Sequence, residues 1–153
     1  MKIIYILVIL ALSFFMAYLR YAYTMKCVKE SRFLYDFSDR LYANMSEKMS
    51  KVSEVYNTAY EETFGEKTDC RTTSDVVDSI RKKFPEAENS DKIIFYIDKY
   101  SHSSAWEMRD ICENLRSEAF NGLKISENRL TKYGKTAFII YPGVTAMLIL
   151  TVL

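Results

Sequence analysis

The sequence predicts an all-α fold: a membrane-anchored antiparallel helical hairpin or small bundle, with a transmembrane helix at each end. Three observations carry that expectation. Ile3 to Leu19 is a run of seventeen residues without a charge, and Thr136 to Leu153 is a second uncharged stretch. Glycine and proline are scarce, with 4 and 2 copies, which favours helices over turn-rich strands. Between the apolar ends, apolar residues recur at steps of three and four, the period of an amphipathic helix.

At 153 residues the chain has room for one domain plus membrane segments. Its formal charge of +1 hides an uneven layout, because Lys2 is the only charged side chain before Arg20 and none follows Lys135. Residues 1–20 are expected to form an uncleaved N-terminal transmembrane helix. Seventeen residues at about 1.5 Å each approach a hydrocarbon core of about 30 Å, with Lys2 and Arg20 reaching for the interfaces. A cleaved signal would need a small-x-small site, but Ala17 has Phe15 two residues before it and Ala22 has Arg20. Residues 136–153 are expected to form the C-terminal transmembrane segment, with Pro142-Gly143 placing a kink or break in its middle.

The extramembrane part is residues 21–135. No glycine or proline precedes Gly65, so a long helix is expected over 21–63. Its stripe of Leu34, Phe37, Leu41, Met45, Met49 and Val52 is a candidate helix-pairing face, continued by Val55, Tyr56 and Tyr60. Residues 64–73 form a loop. Ser74 caps a short helix over 74–84, which Pro85 ends, and a second short helix covers 91–100. Ser104 and Glu107 have the spacing of a capping box and open a return helix over 104–133, with Gly122 and Gly134 as bends. Met108, Ile111 and Leu115 are its half of the pairing stripe, in the manner of a short antiparallel coiled coil.

Both flanks of the apolar ends are basic. Arg20, Lys26, Lys29 and Arg32 stand after the first, and Lys132 and Lys135 before the second, as candidate contacts for lipid headgroups. Residues 33–123 hold 12 basic and 18 acidic side chains, so the positive charge is concentrated at the membrane ends. That asymmetry predicts a central domain facing the cytoplasm. Asn44-Met45-Ser46 fits a glycosylation sequon, and Cys27, Cys70 and Cys112 would allow one disulfide, Cys70 with Cys112 for example, if the domain faced an oxidising compartment.

No catalytic constellation emerges. His102 is the only histidine, which leaves no metal-ligand set and no triad, and no cofactor motif is present. Arg81-Lys82-Lys83 lies within an acidic excess, against nucleic-acid binding. Phe84-Pro85, then Ser126-Glu127-Asn128-Arg129-Leu130, then Tyr141-Pro142-Gly143 resemble, in order, motifs of LemA-type membrane-anchored helical proteins. The spacings differ and that family's segment in the first long helix is absent, so no property is carried over. The functional expectation is a non-enzymatic subunit or scaffold of a larger membrane complex, whose partners are the bilayer and other membrane subunits in a homo- or hetero-oligomer. The alternative is a small oligomeric pore, against which neither apolar segment carries polar lining residues beyond Ser13, Thr136, Thr145 and Thr151.

Overall fold

The computed structural model describes residues 2–45 and 51–152, and every regular element among them is helical. In chain order these are α1 (Lys2–Met45), α2 (Val52–Phe64), α3 (Thr73–Lys83), α4 (Ser90–Ser101), α5 (Ala105–Arg129), a π-helical turn (Leu130–Lys135) and α6 (Ala137–Val152). Two compact units arise, one of Met1–Lys26 with Glu127–Leu153 and the other of Cys27–Ser126.

The unit of Cys27–Ser126 is built on two faces of α1. Ser31, Tyr35 and Asp39, one helical turn apart, meet α5: Ser31 Oγ lies 2.8 Å from Ser126 Oγ, the Tyr35 and Phe120 rings are 5.6 Å apart, and Asp39 pairs with Arg116 at 2.7 Å. The order 31 to 126, 35 to 120, 39 to 116 makes the two helices antiparallel. Phe33, Phe37 and Arg40 form the second face and meet α2. Phe33 touches Tyr56, Tyr60 and Phe64, Phe37 touches Tyr56, and Arg40 pairs with Glu62. One core cluster gathers these helices with Val76, Ile80, Ile93 and Ile97 of the α3–α4 pair.

This corrects the expectation of one helix over 21–63. Lys51 is extended (φ −67°, ψ 139°) and is the N-cap of α2, a separate helix that packs back along α1. No glycine or proline marks the break. The cause is tertiary: folding back buries Val52, Val55, Tyr56 and Tyr60, and each large apolar side chain contributes about 1.5–3 kcal/mol, more than the few helical hydrogen bonds forgone. Met49 and the side chain of Met45 lie outside the described residues, as does Ser46 of the sequon.

Smaller corrections concern the caps. Thr72, not Ser74, caps α3, because its Oγ1 accepts from the Asp75 N–H at 3.2 Å while the Asp75 carboxylate accepts from the Thr72 and Arg71 amides at 2.9 and 3.0 Å. The return helix opens at Ala105, and there Ser104 Oγ donates to the Glu107 carboxylate, which also accepts the Ser104 amide. Its α-helical part ends at Arg129, and the remainder of the expected span is the π-turn. Pro142 lies inside α6 without ending it.

The two backbone amides hold the Asp75 carboxyl below the ordinary carboxylate range of about 4. A depressed folded-state pKa means the cap's stabilisation is complete above that range and is withdrawn as pH falls through the lowered value. An NMR titration should show the Arg71 and Thr72 amide shifts moving with the Asp75 carboxyl. Asp75→Asn should abolish that acid-dependent step.

Candidate interaction surfaces

In the unit of Met1–Lys26 with Glu127–Leu153, α1 buries small residues: Ser13, Ala17 and Thr24 are at most 8% exposed. Of the π-helical turn and α6 in this unit, Gly134 and Ala137 are buried. A Cβ on Gly134 would lie 2.5 Å from Thr24 Oγ1, so glycine here permits a close helix approach rather than marking a bend. A three-four alternation continued from Ser126 would bring Tyr133 and Thr136 to the buried positions. The π-turn supplies one extra residue, so Gly134 and Ala137 are buried while Tyr133 stays half exposed.

The large apolar residues of this unit point outward. Ile4, Leu7, Leu12 and Phe15 on α1 and Ile139, Met147, Leu148 and Leu150 on α6 are exposed, several by more than half. Two helices are long and apolar enough to cross a membrane, and within their apolar windows only 6% and 11% of residues are buried. The apolar face therefore has no cover within the described chain.

The candidate headgroup cations Arg20, Lys26, Lys29, Arg32, Lys132 and Lys135 are all exposed. Lys29 Nζ sits 5.0 Å from the centre of the Phe64 ring and Lys132 Nζ 5.4 Å from that of Tyr133. Of the candidate pairing stripe, Leu34, Phe37, Leu41, Val52, Ile111 and Leu115 are buried in one core, with Met108 packed against it. The stripe thus serves the chain's own core and leaves little of itself for a partner.

Several structural residues escaped the sequence reading because their partners are far away in the chain. Asn57 clasps the backbone of Cys70 from both sides, donating to its carbonyl at 2.9 Å and accepting its amide at 3.2 Å. Ser53 Oγ donates to the Arg71 carbonyl at 3.3 Å, so the 65–72 connection lies pinned on α2. Asn57→Ala should cost about 1–3 kcal/mol, since it orphans two backbone groups of a buried residue. Denaturant unfolding followed by circular dichroism measures this, and hydrogen exchange should rise first at Cys70.

The turn between α3 and α4 is fastened on two sides. The buried Glu30 carboxylate accepts the Glu86 amide at 2.9 Å, and Ser31 Oγ accepts the Glu88 amide at 3.1 Å. Opposite, Asn89 in the left-handed region (φ 59°) donates its side-chain amide to the Glu118 carbonyl and carboxylate, both at 3.2 Å. Glu118 also accepts from Lys92 at 3.1 Å.

The α3–α4 pair turns its inner residues to the core and leaves an outer groove of about 610 Å³. Val77, Ile94 and Phe95 form its apolar part, and Asp78, Asp91 and Asp98 stand along it. Phe95 is 62% exposed, in contrast to the buried rings of Phe33, Phe37 and Phe84. His102, at one end, shares its Nδ1 with Ser101 Oγ and the Asp98 carbonyl. The other prominent exposed aromatic of this unit is Trp106, at 92%.

All three cysteines are free and buried. Burial pushes the Cys112 thiol up to about 12, which keeps it protonated and unreactive at neutral pH. Among the described residues no three His, Cys, Asp or Glu side chains converge on a metal position. In comparisons with known proteins, no family model, no curated protein and no solved structure matches the chain.

Proposed function

We propose that the chain is a non-enzymatic integral membrane subunit or scaffold that assembles with other membrane proteins. The observation that supports this most is the uncovered apolar surface of α1 and α6, which water cannot solvate cheaply and the chain does not bury. Lipid and neighbouring helices are the environments that suit it. The unit of Cys27–Ser126 has its own buried core, which supports reading it as the extramembrane part. The basic flanks favour its facing the cytoplasm.

A pore is less well supported. The Thr136 and Thr145 hydroxyls are turned onto carbonyls of their own helix, those of Lys132 and Tyr141, and so offer little open polar lining.

Extraction in mild detergent followed by sizing and mass measurement tests the subunit reading. The expected species resists alkaline release from membranes and runs as a complex well above the 17.9 kDa chain, with a stoichiometric partner. A clean monomer without partner, or release by alkali, would overturn it.

A further inference from the structure

We propose that the outer groove of the α3–α4 pair seats a basic amphipathic helix of a partner protein, a contact that rests on the subunit reading and names one surface through which it would act. Two antiparallel helices of 11 and 12 residues offer about three turns of groove, roughly 16 Å long. That length suits a third helix presenting anchors at i, i+3 or i+4, and i+7. Helix-on-helix packing needs an apolar centre, and the exposed Phe95 supplies it, flanked by the partly buried Val77 and the edge of the core residue Ile94. Phe95 is the natural anchor, since an aromatic ring can bury a large area and this one is 62% exposed.

Charge decides the occupant. Asp78, Asp91 and Asp98 border the groove, and the one guanidinium there, Arg81, stands 4.0 Å from Asp78. A carboxylate-lined groove attracts lysines and arginines flanking an apolar ridge and repels acidic helices. It also disfavours two competing occupants. An anionic lipid surface would meet like charge, and a two-fold pairing of this face with itself in a second copy would set the same carboxylates against each other.

The test uses the full chain in zwitterionic nanodiscs. Two dye-labelled synthetic probes are compared: an alanine-based helix with a leucine ridge flanked by lysines, and the same helix with glutamates for lysines. Fluorescence anisotropy is corrected against protein-free discs. The lysine probe should bind with an affinity that falls steeply with salt, and the glutamate probe should not bind. Phe95→Ala should weaken binding at least about tenfold while leaving the helical signal intact, because this ring is largely exposed and not part of the buried core. Asp91→Asn with Asp98→Asn should weaken it several-fold and flatten the salt dependence.

Equal binding of both probes, or unchanged binding by a folded Phe95→Ala chain, would overturn the proposal. So would a self-associated dimer that Phe95→Ala dissolves, since the occupant would then be a second copy. No probe binding by a chain that still extracts in a stoichiometric complex would remove the groove and leave the subunit reading standing. Probe binding by a chain that extracts as a monomer would do the reverse.

Discussion

Replacing Phe33 by alanine is expected to destabilise the unit of Cys27–Ser126 by about 3–5 kcal/mol. The ring is fully buried and is the meeting point of α1, α2 and the end of α3, with centroids 5.6 Å from Tyr56, 5.9 Å from Tyr60, 5.3 Å from Phe64 and 4.7 Å from Phe84. Edge-to-face pairs such as those with Tyr56 and Tyr60 add to the area term, though not additively. The loss falls on the interface that turns α2 back along α1, so hydrogen-exchange protection of α2 should drop together with the midpoint of denaturant unfolding. Phe95→Ala is the matched control, expected to change stability by no more than about 0.5 kcal/mol because its ring is largely solvated. A loss below about 1 kcal/mol for Phe33→Ala would contradict the packing described.

Gly122→Val is expected to cost about 3 kcal/mol, near the top of the range for overpacking. A Cβ at this position would lie 2.6 Å from the Glu88 carbonyl oxygen and 3.2 Å from its carbon. That neighbour is backbone and is itself held, because the Glu88 amide donates to Ser31 Oγ and Ser31 bonds Ser126, whose hydroxyl in turn donates to the Gly122 carbonyl at 2.9 Å. Accommodating the side chain means lifting the α3–α4 turn away from α5 and breaking that chain of buried hydroxyls. Gly122→Ala meets the same clash with less volume and regains about 1 kcal/mol of helix propensity, so its net cost should be visibly smaller. The series glycine, alanine, valine should therefore fall monotonically in unfolding midpoint. A neutral or stabilising alanine would show that the turn is not seated as described.

These two positions show where local sequence signals stop. The apolar ends, the helical period and the helix-ending Pro85 are local, and the elements they predict are present, as with α4 at Ser90–Ser101. The return of α2 along α1 has no such signal. Leu34 and Phe37 fall on one stripe by spacing, yet the pairing surface also needs Phe33, one residue away, because α1 meets α5 and α2 on different faces. Gly122 and Gly134 look like bends when only propensity is considered. Their function is visible only once Glu88 and Thr24 are beside them. The same holds for Asn57, whose partner Cys70 lies across a loop. Phe95 was hidden differently, since its neighbours Ile94 and Ile97 make the segment look uniformly buried.

The buried cysteines make a direct test of the membrane claim practical, because none of the three is a ready target for a thiol reagent. New cysteines at the exposed positions Lys67, on the connection between α2 and α3, and Lys99, in the last turn of α4, supply the targets in the same unit. An impermeant maleimide is applied to intact cells and to inverted membrane vesicles. The account predicts that Lys67→Cys and Lys99→Cys both react in the inverted vesicles and neither in intact cells, with the chain staying in the membrane after alkaline washing. Labelling of the two positions from opposite sides, or recovery of the chain in the alkaline wash, would contradict it.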